Sequence, residues 1–427
     1  MPYQKELSKL PLSKSWFVVI VTSLFFFYEF GLGTVFNSLS KPIMESYQLS
    51  VVSLGFLSSL YFYTDILFLV PAAILLDKYS PKNCIIVALC ICSAGIIAVS
   101  IAHDFYTLAI SRLLMGFGGS FSLVGCIRIA TNWFPAKKMG FVIGIVIAIG
   151  MLGGWFAQHP LAIMVDGLGW REALLVVGIL GFVIMALILV FVRSAPKGLR
   201  ALRTTQKQEL REMPIKSIIK MALSNPQTWY CALYTGLINV ATFMLGGLWA
   251  NEYLTHAKNG FTSLDASSIT GFLFLGMLPG FPFWGMLSEK IQKRKSPMIY
   301  GAILALIVIF LIMFSPGNTA WFSFLFFALG FTTSAQTIAY PVVGEINSMR
   351  VTSTATSVVS INSLLWGGVI AEPLFGYLMI IGADIFNVSI DNRLVYEFAI
   401  WIVPIAFILS VVISFLIKET YCKRLVD

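Results

Sequence analysis

Twelve apolar runs, each long enough to cross a bilayer as a helix, constrain this chain more than anything else in it. A hydrocarbon core of about 30 Å takes roughly 20 apolar residues at about 1.5 Å of rise each. The runs fall at about 16–38, 51–76, 84–102, 105–130, 139–164 and 172–192, then at about 227–250, 267–288, 297–315, 320–344, 353–382 and 397–417. A chain of 427 residues that is 58% hydrophobic and only 11% charged has no way to hide that much apolar surface in water. The expected class is an all-α membrane protein with twelve transmembrane helices. The first run is too long for a signal-peptide core and lacks a small-x-small cleavage site.

The net charge of +9 would suit a nucleic-acid binder, but its placement argues otherwise. With both termini cytoplasmic, the outside loops hold only Lys41, Arg171, Lys258 and Arg393, and Arg112 and Arg128 lie within spans. The remaining Lys and Arg residues all fall on the inside, which fixes both termini there and dismisses nucleic acid as a partner. The six cysteines have the spacing of neither a disulfide framework nor a metal site. No phosphate-binding loop is present, and the three histidines belong to no HExxH or GxSxG-type constellation. Neither an enzyme, nor a metal or other cofactor, nor ATP-driven pumping by this chain alone is expected. A receptor without transport activity is the remaining alternative, though no soluble signalling domain is attached.

The segment 193–226 is the one long hydrophilic connection, with eight basic residues against two acidic ones. It reads as an amphipathic stretch on anionic headgroups or as a plain tether. Either way it separates an N-terminal six-helix bundle, 1–192, from a C-terminal six-helix bundle, 227–427. A repeat supports the cut. Ala73, Asp77 and Lys78 follow the second run of the first half, and Gly285, Glu289 and Lys290 follow the second run of the second half. Small-x-x-x-acid-base at the same place in each half is internal duplication, a common way of building transporters. The carboxylates and their basic neighbours suit a cytoplasmic gate.

This repeated motif resembles the loop 2–3 signature of the major facilitator superfamily, with Ala73 for the usual Gly and Ser80 for the turn Gly. Arg112 with Gly116 and Gly118 looks like the helix 4 signature of the same superfamily, and Gly169-Trp170-Arg171 is also common in it. The resemblance covers the whole chain. It implies two bundles around one site near the midplane, and transport by alternating access. The fifth run carries Gly144, Gly150, Gly153 and Gly154 but lacks the proline of the antiporter signature, which favours uptake over export. The stretches from Phe25 to Ser50 and from Leu54 to Ser80 look like the phagosomal transporter family of intracellular proteobacteria. That resemblance implies a bacterial inner membrane and amino acids, or in some members nucleosides, as substrates.

Five charged side chains fall clearly within the runs: Glu29, Asp65, Arg112, Arg128 and Glu372. Charge inside a membrane is costly and marks function by default. Arg112 sits seven residues from the outer end of its run, with Gly116, Gly119 and Ser120 on the same face. At about 1.5 Å per residue, Glu29 and Arg112 reach similar depths, so they can pair as a proton-sensitive switch. Snorkelling or a purely structural role is the bland alternative for Arg112. Asp65 has Tyr61 one turn earlier, and Glu372 lies between Gly368 and Gly376; either acid serves a ligand or simply bonds a neighbouring helix. Further candidates for a central cavity are Gln158 and His159, beside Trp155, with Asn239 on a face shared with Thr235 and Thr242. Gln336, Tyr340, Asn362, Trp284 and Trp366 complete them. Such polar groups also glue helices together, at about 1 kcal/mol or less each. The expected activity is proton-coupled import of a small polar organic solute, an amino acid first, by a monomer in the lipid bilayer. Nucleosides, another organic anion or siderophore, and drug or metabolite export are the alternatives.

Overall fold

A computed structural model describes residues 12–134, 139–196, 220–221, 223–258, 260–347, 352–423 and 425. The side chains of Asp77, 139–141 and 352–353 are not among those described, nor is most of the expected 193–226 linker. Twelve helices among the described residues are long and apolar enough to cross a membrane. They are α1 Leu12–Thr34, α2 Val51–Leu76, α3 Pro81–Ile101, α4 Phe105–Trp133, α5 Val142–Leu168, α6 Trp170–Phe191, α7 Pro226–Ala257, α8 Ser263–Ile291, α9 Lys295–Phe314, α10 Thr319–Ile346, α11 Thr354–Phe386 and α12 Arg393–Leu416. No strand occurs among the described residues. The all-α membrane class read from the sequence holds.

Local chemistry sets several boundaries. Asp104 caps α4 through the Thr107 amide, Thr262 and Asp265 close a capping box on α8, and Asn318 caps α10. Two helices run further than hydropathy suggests. After α1 the chain stays helical over Phe36–Tyr47, and α7 continues to Ala257 through Asn251, Glu252 and Thr255. Three spans are irregular inside. The α7 backbone is π-helical over Ala241–Trp249 and that of α11 over Leu365–Ala371, whereas α10 tightens to a 3-10 helix over Ser334–Ile338.

Contacts divide the chain into two compact units. One comprises residues 1–33, 63–154 and 167–213; the other comprises 34–62, 155–166 and 214–427. The division falls at the last residue of α1 and cuts α2 and α5 across their lengths.

In the first unit α3 packs on α4 and α6. Glycine permits the closeness: a Cβ on Gly118 would lie 2.7 Å from the Ala88 carbonyl, and one on Gly95 would strike Met115. In the second unit α7 packs on α11 and α12, α8 on α10, and α9 on α10 and α12. The Phe36–Tyr47 helix lies against the irregular part of α7.

Candidate functional site

In the first unit, the sequence reading brings Glu29 and Arg112 to similar depths. Arg112 is fully buried, and its Nη1 donates to the Leu32 carbonyl at 2.9 Å. One turn earlier on α1, Glu29 accepts a hydrogen bond from the Ser122 hydroxyl at 2.8 Å. Ser122 follows the break in α4 at Ser120–Phe121, so both halves of α4 engage the same turn of α1. Asp65, 7% exposed, lies within electrostatic range of Glu29, and Cys92 within range of both acids. The structure therefore gathers Glu29, Asp65 and Arg112 into one unit, with Ser122 as a partner that no charge pattern announced. Tyr61 falls in the other unit, beside Phe62, which meets Phe243 edge-on at 5.3 Å.

Glu372 anchors the second unit. It follows the π-helical segment of α11 directly and is fully buried. Its carbonyl accepts from the indole N–H of Trp249 at 2.9 Å, and Trp249 ends the π-helical segment of α7 and stacks on Phe375 at 5.1 Å. A Cβ on Gly247 would stand 2.8 Å from Glu372 Oε1, and one on Gly55 would stand 2.8 Å from its carbonyl oxygen. Two glycines thus hold open the space that the acid fills. Each π-helical segment contains a Gly-Gly pair, Gly246-Gly247 and Gly367-Gly368. Single-turn π irregularities occur often at functional sites because they re-aim side chains and free carbonyls.

Asn239 and Gln336 exchange hydrogen bonds through both amide groups, with Gln336 Nε2 donating to Asn239 Oδ1 at 2.8 Å and Asn239 Nδ2 donating to Gln336 Oε1. Asn239 Nδ2 also donates to Ser363 at 2.8 Å. Tyr340 meets Ser360 at 3.3 Å. Asn362 donates back to Val358 of its own helix at 3.0 Å, and Trp284 donates to the Phe331 carbonyl at 2.7 Å. Thr235 and Thr242 carry buried hydroxyls with no hydrogen-bond partner among the described residues.

Gln158 and His159 belong to a polar lock in the second unit. Gln158 Oε1 accepts from Asn37 at 2.6 Å, and its Nε2 donates to the Thr34 and Gly246 carbonyls at 3.2 and 3.0 Å. The Gly246 carbonyl lies in the π-helical segment, so the glutamine satisfies a group that regular helix would have paired. Asn251 donates to the Asn37 carbonyl at 3.0 Å and to Ser267, and Ser40 donates to Glu252 at 2.6 Å. His159 bonds Ser268 at 2.6 Å. The lock ties the ends of α1, α5, α7 and α8 together. Asn37, Ser40, Asn251 and Glu252 were not legible as site residues, because hydropathy ends the seventh run before Asn251.

Of the four expected gate residues, Lys78, Glu289 and Lys290 are exposed at their helix ends, and the Asp77 side chain lies outside the described residues. The ion pair at this end of the second unit is a different one. Arg294 bonds Glu345 at 2.7 Å and Ser288 at 3.1 Å, while Glu345 also accepts from Thr420. Burial alone would lower the Arg294 pKa, but the Glu345 carboxylate holds it up. Burial likewise pushes Glu419 up, yet backbone N–H groups of Arg294, Tyr421, Lys295 and Thr420 outweigh it and hold the carboxyl below the usual range.

Comparison with known proteins gives a consistent picture. The profile of the Major Facilitator Superfamily matches residues 20–371. A probable sulfoacetate transporter of Cupriavidus necator is 25% identical over 60% of this chain, an alignment that spans 61% of that relative, under two thirds of its length. A probable hexose phosphate transport protein of Chlamydia muridarum is 24% identical over 80% of this chain and 81% of its own. Among solved structures, a bacterial homolog of the human lysosomal transporter Spinster, inward-facing and unoccupied, superposes with a TM-score of 0.75 over 97% of both chains. At 18% identity that likeness speaks to the fold alone.

Proposed function

This chain belongs to the Major Facilitator Superfamily, and from that premise we propose that it is a secondary transporter. It imports a small organic anion by alternating access, coupled to protons, in a bacterial inner membrane with both termini cytoplasmic. The observation that carries the reading is the fully buried Arg112 gathered with Glu29 and Asp65 in one unit. A planar guanidinium fork matches a carboxylate, sulfonate or phosphate through paired N–H bonds. Acids within range of it supply the proton sites, since making or breaking an acid–guanidinium contact changes the acid's proton affinity.

Relatives named for sulfoacetate and hexose phosphate, both anions, favour this class over the amino acid that the sequence put first. In the second unit, Glu372 and the Asn239–Gln336 pair are proposed to take part in transport. The lock around Gln158 is proposed as the contact set that opens and closes the external side. Asp77, Lys78, Glu289 and Lys290 are proposed to act at the cytoplasmic side.

The test is a panel of small organic anions, amino acids and nucleosides scored by thermal stabilisation of the purified protein, since a specific ligand raises stability by mass action. An anion should raise Tm in wild type and lose most of that effect in Arg112→Lys. Stabilisation by neutral nucleosides alone, unchanged in the variant, rules the reading out.

A further inference from the structure

A recess lies in the second unit where four helices end. Its volume is about 550 Å³, within the range of small-molecule sites. Ala257 closes α7, Phe314 closes α9 and Arg393 opens α12 around it, and Phe322 belongs to the first turn of α10. In a membrane-spanning chain, converging helix ends mark the level where hydrocarbon gives way to headgroups.

Three features of the recess point to a ligand. Lys258 and Arg393, two of the four basic residues that the charge bias places outside, both line it. Lys258 is half-buried, which lowers its pKa; its Nζ gives one hydrogen bond to the Met313 carbonyl at 2.5 Å and lies 5.7 Å from the Phe322 ring centroid. Among the described residues Arg393 bonds through its Nε alone, to Glu397 at 2.6 Å, which leaves its terminal nitrogens to a ligand. With Glu397 counted, the lining keeps one positive charge. The third feature is Tyr253, which also lines the recess and is fully buried, yet whose hydroxyl has no hydrogen-bond partner among the described residues. A buried hydroxyl left unpaired is costly, and a ligand oxygen relieves that cost.

The rim says what carries the anion. Phe314 is 67% exposed and Trp401 is 42% exposed, and with Phe310 they form a cluster with centroids 6.0–6.3 Å apart. Ile405, one turn beyond Trp401, is exposed as well. An apolar track therefore leads out of a cationic, hydroxyl-bearing recess along the flank of the helices. A free solute has no use for such a track, whereas an acyl chain does. We propose that this recess binds the phosphodiester headgroup of an anionic phospholipid, with the first part of an acyl chain lying on Phe314 and Trp401. The site is separate from the transport reading and stands or falls without it.

Short-chain phosphatidylglycerol, phosphatidylcholine of the same chains, and glycerol phosphate, each titrated into detergent-purified protein with Tm as readout, test the proposal. Wild type should be stabilised by phosphatidylglycerol well beyond phosphatidylcholine, and hardly at all by glycerol phosphate. Lys258→Gln and Arg393→Gln should each weaken the apparent affinity for phosphatidylglycerol about fivefold, in keeping with roughly 1 kcal/mol per basic residue near a membrane surface. Tyr253→Phe, which removes only the hydroxyl, should weaken it severalfold. Lys41→Gln, an exposed basic residue outside the recess, should leave it unchanged. Equal stabilisation by the two lipids, or a preference that survives the Lys258 and Arg393 substitutions, overturns the proposal. Glycerol phosphate acting as strongly as the lipid also overturns it and makes the recess a soluble-anion site.

Discussion

At the scale of residues, two positions carry sharp expectations. Arg112→Lys keeps the charge but loses the planar fork. Apparent affinity for a transported anion should fall on the order of tenfold or more while the protein still folds, measured by ligand-induced Tm shift. Glu419 supplies a pH signature at the other end of the second unit. Its folded pKa is depressed, so the stability it contributes is present above the ordinary glutamate range, around pH 4.3, and is lost as pH falls through the lower folded value. Protease protection of the segment after α12 should therefore weaken as pH drops below about 4, and Glu419→Gln should be less protected already at pH 7. Protection that is the same for both proteins at every pH would show that the four backbone bonds do not hold the tail.

At the scale of elements, the π-helical segments of α7 and α11 matter most. Gly247 leaves the space that Glu372 Oε1 fills, and a Cβ 2.8 Å from that oxygen forces the acid to move. Gly247→Ala should cost little stability, since only the tip of a flexible side chain has to shift, but should cut transport more than Gly144→Ala, where a Cβ meets nothing within 4 Å. Equal transport by both variants, measured as initial uptake rate, would separate Glu372 from the mechanism. The sequence showed the twelve helices plainly because hydropathy alone defines a span. Glu29, Asp65, Arg112 and Glu372 were equally plain, since charge in an apolar run is conspicuous. Asn37, Ser40, Asn251 and Glu252 were not. Asn37 sits at the very end of the first run and the other three follow the runs, and their helices persist because each polar side chain finds a partner on another helix. The π-helical geometry left only the Gly-Gly pairs as a trace. Arg294–Glu345 was hidden for a related reason: the repeat drew attention to Glu289 and Lys290, while the bonded pair joins residues about 50 positions apart.

At the scale of the whole molecule, the first unit is proposed to carry a charged site inside the membrane and the second a lock that opens and closes. Gln158 is the hub of that lock, with both ends of its amide bonded. Gln158→Ala strands buried partners at about 1–3 kcal/mol and should raise labelling of a cysteine introduced at Ser38 by a membrane-impermeant maleimide. Labelling no faster than in the parent would mean that the lock is ordinary packing. Transport itself is the most direct measurement. Proteoliposomes loaded at pH 7.5 and diluted into pH 6 buffer should concentrate a labelled organic anion, chosen by the stabilisation panel, above its external level. Collapse of the gradient with a protonophore should reduce this to equilibration, and Arg112→Lys should abolish accumulation. Accumulation only under the reversed gradient, or unchanged accumulation in the variant, would contradict proton-coupled import through the Arg112 site.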